Sequence, residues 1–128
     1  MEEVISSLMQ RSICSVGMDD SAAQVEAVLA DQHLGWVPVL EPERGEAVGV
    51  ISALDIVALH AQGRDASTVN AWQLCTYKPV AVEATTQLSR VAELMLERRV
   101  HHVVVKDHDK MVGVASSLDF VRKFLATR

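Results

Sequence analysis

Two copies of one short motif carry the residues of this chain that are best suited to hold a ligand. The sequence GVISALD spans residues 49–55, and GVASSLD spans residues 113–119. In each copy a β-branched run ends near the serine and a helical pattern follows, so Ser52 and Ser116 lie where a strand gives way to a helix. The free N–H groups and positive dipole end of a helix favour an anion such as phosphate, to which a serine hydroxyl can donate. Asp55 and Asp119, about one turn later, can accept hydrogen bonds from two neighbouring sugar hydroxyls.

The same residues are also suited to a purely structural role. A serine before a helix can act as its N-cap, and an aspartate in the first turn complements the helix dipole. The spacing alone allows either role, and the ligand-binding interpretation gains weight because Ser and Asp are both kept in the two copies.

The motif belongs to a longer internal repeat. Six of nine positions are identical between residues 49–57 and 113–121, at an offset of 64. Upstream the offset becomes 66, which aligns Leu8 with Leu74 and Val39 with Val105. The two-residue difference in length arises where residues 41–46 align with residues 107–110, at a predicted turn that tolerates such a change. The pattern predicts two homologous half-units, residues 1–66 and 67–128.

Each half-unit is predicted to form β-α-β-β-α, preceded by a short helical segment. Ser21-x-x-Gln24 is a capping-box pattern for a helix over 22–32, followed by strands over 36–40 and 47–52. In the second half Leu88, Val91, Ala92 and Met95 share a helical stripe, with Thr85 and Thr86 as its predicted caps. One unit buries too little surface to be stable alone. We therefore expect an α+β fold in which the repeats pack with pseudo-two-fold symmetry.

Composition excludes several classes of protein. The 128 residues are 49% apolar and 23% charged, which is globular, and no apolar run approaches the length of a membrane span. The net charge of −5 argues against a partner of duplex nucleic acid, although residues 67–128 alone sum to +3. Two cysteines form no disulfide framework, and no signal peptide precedes the repeats, so a cytoplasmic protein is expected. We expect no metal site, since the adjacent His101 and His102 rarely chelate one ion.

In these motifs each repeat of the chain resembles the cystathionine-β-synthase (CBS) domain. The two repeats in tandem resemble a Bateman module, which is a pair of such domains. The resemblance covers about residues 4–125, and the paired Gly-x-x-Ser-x-x-Asp motifs are its specific part. It implies regulatory binding of an adenosyl ligand, such as AMP, ADP, ATP or S-adenosylmethionine, in clefts between the repeats. It implies neither catalysis nor a required cofactor. Many members carry Ser or Thr immediately before the Asp, where this chain has Leu54 and Leu118, which weakens the phosphate contact.

The resemblance also implies two unequal sites. Family members often place a basic or His-containing pair before the central strand, which here is His101-His102, with Arg98 and Arg99 nearby, against Gly35-Trp36 in the first half. The Ser116/Asp119 site is therefore predicted to be the better one for a phosphorylated ligand, and its purine would rest on Ile13, Cys14 and Leu34. The weaker Ser52/Asp55 site would use Trp36, Pro79, Val80 and Val100. Trp36 could stack on a base, although packing or a subunit contact is the favoured role, and either histidine could equally be a surface or interface residue.

We expect a regulatory protein, not an enzyme, that senses an adenine nucleotide and passes that state to an unknown effector protein. The principal alternative is a ligand-free dimerisation or docking module, and another is a regulatory fragment of a larger enzyme or transporter. The helices after Ser52 and Ser116 are expected to carry more apolar surface than one pair of repeats can cover, from Ile56, Val57, Leu59, Phe120, Val121 and Phe124. We therefore expect a homodimer with these helices at the interface.

Overall fold

A computed structural model describes residues 3–11 and 13–127 of the chain. After a single 3-10 turn at Ile5–Ser7, the order of helices and strands is β1 Val16–Gly17, α1 Ala22–Asp31, β2 Trp36–Leu40, β3 Ala47–Ser52, α2 Ala53–Ala61, α3 Ala71–Leu74, β4 Thr76–Tyr77, β5 Ala81–Glu83, α4 Leu88–Arg98, β6 His102–Asp107, β7 Lys110–Ser116 and α5 Ser117–Ala126. The α+β class and the repeated β-α-β-β-α order are confirmed.

The chain divides into two compact units. The first unit spans Cys14–Pro79, and the second joins the segment ending at Ile13 to the chain from Val80 onwards. Each sequence repeat therefore gives its leading segment to the unit built mainly from the other repeat. The borders of the units consequently differ from the 1–66 and 67–128 division of the sequence.

The first unit is a four-stranded sheet in the order β1-β2-β3-β4, with β1 parallel to β2 and the others antiparallel. Val37, Val39 and Ile51 are fully buried on this sheet and pack with Val25 of α1. The capping box predicted at Ser21 and Gln24 is present, because each residue's side chain accepts from the other's backbone N–H.

The second unit is a three-stranded sheet in the order β5-β6-β7, covered by α4 and α5. Its core includes Leu88 and Val91, both fully buried, as the helical stripe predicts. Ile5 of the leading segment is also fully buried there, and its N–H donates to the carbonyl of Thr86 at 2.8 Å.

The predicted caps of α4 are wrong. The helix begins at Leu88 with Gln87 as N-cap, and no side chain caps it, so neither Thr85 nor Thr86 has that role. The turn at residues 84–87 instead uses its backbone: Ala84 and Thr86 carbonyls accept from Ser6 and Ile5. Pairing with the leading segment thus sets where this helix begins.

Gly113 in β7 faces the leading segment at a distance that admits no side chain. A Cβ at Gly113 would lie 2.5 Å from the Sδ of Met9 and 3.0 Å from the carbonyl oxygen of Gln10. The repeat-equivalent Gly49 is crowded in the same way by the Sγ of Cys75. These glycines allow the leading segments to pack closely on the central strands.

Replacing Gly113 with valine is expected to lower the free energy of unfolding by about 1–3 kcal/mol, because the added side chain overpacks a closed contact. Urea unfolding followed by circular dichroism measures it. Gly35→Ala is the control, since a Cβ at Gly35 meets nothing within 4 Å. Equal stabilities of the two variants would contradict the close packing.

No helix among the residues that the structure describes is both long enough and apolar enough to cross a bilayer.

Candidate functional site

The two Gly-x-x-Ser-x-x-Asp motifs fold alike, at the junctions of β3 with α2 and of β7 with α5. Ser52 and Ser116 are the N-caps of these helices, and each hydroxyl accepts from the N–H of the aspartate three residues on. The aspartate returns the contact, because its Oδ2 accepts from the serine N–H at 2.7 Å for Asp55 and 2.8 Å for Asp119. The structural role of both pairs is therefore confirmed. Ligand binding depends on the hydrogen-bonding atoms that the capping boxes do not use.

The two motifs differ in the partners of the serine hydroxyl and of the second carboxylate oxygen, Oδ1. The Ser52 hydroxyl donates to Oδ2 of Asp55 at 3.0 Å, whereas the Ser116 hydroxyl donates to no described residue. In contrast, Oδ1 of Asp55 has no partner among the described residues, while Oδ1 of Asp119 accepts from the side-chain amide of Gln10 at 3.1 Å. Among the described residues, the second motif thus has a hydroxyl that donates to none of them and a carboxylate engaged at both oxygens. The first motif has an engaged hydroxyl and a carboxylate engaged at one oxygen only.

A pocket of about 300 Å³ opens beside Asp119, wholly within the second unit. Its walls come from the leading segment and from α5: Ser7, Leu8, Gln10, Asp119, Arg122 and Lys123. Asp119 is 8% exposed, and the guanidinium of Arg122 lies 3.9 Å from its Oδ1. Lys123 pairs with Glu3 of the leading segment. This pocket offers hydrogen-bond groups of both kinds and two cations.

The first unit lacks these cations at the equivalent positions. An offset of 64 places Ala58 and Leu59 of α2 where α5 has Arg122 and Lys123. Leu59 is 1% exposed and belongs to a core cluster, so it is a packing residue. The electrostatic difference between the two halves of the sequence therefore extends to the residues beside the aspartates.

His102 and Trp36 occupy matching positions opposite the motif serines. His102 pairs in register with Ser116 across β6 and β7, and Trp36 pairs with Ser52 across β2 and β3. The residue before each gives its carbonyl to the first N–H of the helix, from Ser117 to His101 at 2.9 Å and from Ala53 to Gly35 at 2.8 Å. The pairs aligned from the sequence therefore do flank the two helix starts.

The two histidines have different surroundings. His101 is exposed and lines an apolar groove between α4 and α5, together with Arg99. His102 is partly buried, and its pKa is lowered to about 4, chiefly by burial and also by the neighbouring His101, while Asp119 opposes the change. His102 is therefore neutral between pH 6 and 8, so its imidazole acts as a hydrogen-bonding group and not as a cation.

His102 is expected to make the protein less stable as the pH falls. Its folded pKa of about 4 lies below the ordinary value of 6.5, so the unfolded chain binds the proton first. Stability is therefore fully present above pH 6.5 and is lost as the pH falls towards 4. His102→Gln should flatten the fall, measured by urea unfolding at pH 7.0 and 4.5. His108→Gln is the control, with a ring that is 94% exposed, and equal pH slopes in wild type and His102→Gln would contradict the assignment.

The predicted purine contacts are all partly buried. Ile13 and Cys14 lie on either side of the unit border, and Leu34 packs against the core of the first unit. Val80 and Val100 pack against the core of the second unit, and Pro79 ends the first. Their contact with a base remains a prediction.

Other predicted residues lie on open surface. Arg98 is the last residue of α4 and is exposed. Leu54 and Leu118, which replace the polar residue common before the aspartate, are 73% and 52% exposed. No side-chain hydrogen bond to a phosphate is available from either leucine.

The groove between α4 and α5 is large and mostly apolar, with a volume of about 560 Å³. Leu96 on α4 is 80% exposed, and Val121 and Phe124 on α5 are about half exposed. Of the residues predicted to give α2 and α5 surplus apolar surface, Val57, Val121 and Phe124 are exposed. The prediction is wrong for the other three, because core packing buries Ile56, Leu59 and Phe120.

One group of potential metal ligands was not expected from the sequence. Ligand atoms of Glu83, Asp107 and His108 lie within 4.8 Å of one another at the turn between β6 and β7. Glu83 already accepts the N–H of His108 at 3.0 Å and lies 3.8 Å from the Lys106 ammonium. His108 has a φ of +57°, so the carboxylate stabilises a strained turn, which explains the group without an ion.

The contribution of the leading segment to the Asp119 pocket is not predicted by the sequence motifs. Gln10 and Leu8 are far from the motif along the chain, but the offset of 66 aligns them with Thr76 and Leu74, which could have indicated a shared position. Arg122 and Lys123 follow Asp119 by three and four residues, a spacing that places them on its side of a helix.

Taken together, the chain is a tandem-repeat α+β protein in which each repeat presents a capped Ser–Asp pair at a helix start. The CBS domain model matches residues 5–61 and again residues 71–126. The chain belongs to the CBS domain family and contains a tandem pair of these domains.

Known proteins agree with this assignment. The mitochondrial CBS domain-containing protein CBSX3 of Arabidopsis thaliana is 26% identical over 81% of this chain and 52% of its own length. The structure of PAE2072 from Pyrobaculum aerophilum, complexed with AMP, is 26% identical, with a TM-score of 0.84 over 98% of this chain and 99% of that one. The CBS pair of protein MJ0100, in complex with 5′-methylthioadenosine and S-adenosyl-L-methionine, has a TM-score of 0.87 at 19% identity and covers both chains fully.

Proposed function

We propose that this protein is a regulatory module that binds an adenosyl ligand of the AMP, ADP, ATP or S-adenosylmethionine type and passes that state to an effector protein. The observation that carries the proposal is the Ser–Asp pair at both helix starts, beside a polar pocket at Asp119. A carboxylate there can accept from ribose hydroxyls, and the helix start can accommodate a negatively charged group. The proposal includes no catalytic step.

We propose further that a phosphorylated ligand prefers the site at Ser116 and Asp119. The Ser116 hydroxyl donates to none of the residues that the structure describes, whereas that of Ser52 donates to Asp55. Arg122 and Lys123 add positive charge only on this side. The site at Ser52 and Asp55, with no equivalent cations, is better matched to an uncharged adenosyl group.

The named relatives support the ligand class. PAE2072 is described in complex with AMP, and the CBS pair of MJ0100 with 5′-methylthioadenosine and S-adenosyl-L-methionine. These three molecules share an adenosine with ribose hydroxyls, although they differ in the charge at the 5′ position. The shared adenosyl part agrees with recognition by the motif aspartates.

A ligand panel tests the proposal. AMP, ATP, S-adenosylmethionine and NADH are added to the protein, and the melting temperature is followed by differential scanning fluorimetry. A ligand that binds only the folded state at 100 times its Kd stabilises it by about 2.7 kcal/mol, a shift of several degrees. We expect a shift with at least one adenosyl ligand, confirmed by calorimetry at one or two sites per chain. No shift with any of them at millimolar concentration would contradict the proposal.

A second candidate function is self-association or docking without a ligand. The exposed apolar groove between α4 and α5 favours it, and so do the exposed leucines at positions 54 and 118. Val57 and Val121 are also exposed and are equivalent in the repeat, so both α2 and α5 present apolar surface. We propose a homodimer that uses these helices, compatible with either function.

Sedimentation velocity at micromolar concentration is expected to show a dimer. Phe124→Glu should convert it to monomer, because it places a charge in the apolar groove, where burial would be costly. Lys110→Glu, a charge change at the exposed first residue of β7, should leave the dimer intact. A wild-type monomer would contradict the proposed interface.

A further inference from the structure

The Asp119 carboxylate has partners within the chain itself. Its Oδ2 accepts from the Ser116 N–H at 2.8 Å, and its Oδ1 accepts from the Gln10 amide at 3.1 Å. The side chain is 7% exposed, so these contacts largely replace water. Each oxygen keeps a further acceptor position, but a ribose diol that approaches this carboxylate meets a partner already bound at both oxygens and competes with it.

Gln10 is the partner that can leave. The Ser116 contact belongs to the capping box of α5 and forms part of the helix start. The Gln10 backbone is held separately, since it exchanges two hydrogen bonds with Val114 at 2.8 and 3.1 Å. Gln10 is exposed, so its amide can move to solvent while the segment stays paired. The Arg122 guanidinium, at 3.9 Å and 67% exposed, is a weaker competitor.

The equivalent site in the first unit has no such competitor. The residue equivalent to Gln10 is Thr76, which makes no described side-chain hydrogen bond to Asp55. The carboxylate of Asp55 keeps Oδ1 free of described partners. The competition is therefore a specific property of the Asp119 pocket.

From this geometry we propose that Gln10 sets the affinity of the Asp119 pocket as an intramolecular competitor for the ribose hydroxyls of the ligand. The inference rests on the proposed function and adds a residue that determines specificity. Loss of the Gln10 amide frees one carboxylate oxygen and raises the affinity for ligands that carry the diol. A ligand without the diol gains nothing, because it does not need that oxygen.

Calorimetry with two probes tests the proposal, AMP and its 2′,3′-dideoxy analogue. We expect Gln10→Ala to tighten AMP binding about threefold to tenfold, in line with a hydrogen bond to a charged group at a partly open site, and to leave the dideoxy analogue unchanged. Thr76→Ala is the matched control and should change neither. Gln10→Asn, whose amide is one methylene shorter and cannot span the same distance, should behave like Gln10→Ala.

The outcomes separate this inference from the proposed function. Suppose that wild type binds AMP, that Asp119→Ala abolishes this binding, and that Gln10→Ala leaves the affinity for AMP unchanged or lowers it. The competitor role is then wrong and the nucleotide site stands. If Gln10→Ala tightens both probes equally, the effect is not on the diol and the inference is also overturned. If wild type binds no AMP at all, the competitor role at Asp119 is overturned, whereas the proposed function fails only if no other adenosyl ligand of the panel binds either.

Discussion

Replacing Ile5 with alanine is expected to destabilise the second unit by about 2–4 kcal/mol, although Ile5 is more than 75 residues from most of that unit in sequence. Ile5 is 0% exposed and packs in one cluster with Leu88 and Phe120. Its removal leaves a cavity between the leading segment, α4 and α5. Urea unfolding monitored by circular dichroism measures the loss.

The comparison variant is Leu96→Ala, on the outer side of α4 and 80% exposed. In the Phe124→Glu variant, which is expected to be a monomer with an uncovered groove, Leu96→Ala should change the free energy of unfolding by no more than about 0.5 kcal/mol. An Ile5→Ala protein as stable as Leu96→Ala would show that the leading segment does not complete this core.

Much of the fold could be predicted from the sequence, because local patterns decide it. The strands at 36–40 and 47–52 have the bounds that their β-branched runs predict, and the capping box at Ser21 needs only residues three positions apart. The repeat adds strength, since each pattern occurs twice. Where a structure depends on neighbouring residues in the chain, the sequence was sufficient.

The features that were missed depend on residues that are distant in the chain. Thr85 and Thr86 have cap chemistry, but pairing of this turn with residues 5 and 6 moves the helix start to Leu88. The Gln10–Asp119 hydrogen bond joins residues 109 positions apart, and no local pattern indicates it. The pKa of His102 depends on burial, which residue type alone does not reveal.

Replacing Asp119 with alanine is expected to weaken AMP binding by about tenfold or more. A hydrogen bond to a charged group contributes roughly 1.5–3 kcal/mol, and the carboxylate is proposed to accept from the ribose hydroxyls. The same change removes the capping box of α5 and costs about 1 kcal/mol of stability. Calorimetry with AMP, performed well below the melting temperature of the variant, measures the binding effect.

Two further variants separate binding from folding. Asp119→Asn keeps an oxygen that can accept the Ser116 N–H, so it should recover most of the stability but little of the affinity. Asp55→Ala removes an equivalent capping box from α2 and should cost a similar amount of stability, yet affect AMP less, because no cation equivalent to Arg122 lies beside it. Equal losses of affinity for Asp55→Ala and Asp119→Ala would contradict the unequal sites. If neither variant changed AMP binding, the Ser–Asp pairs would be helix caps alone, and the exposed groove between α4 and α5 would become the principal functional surface.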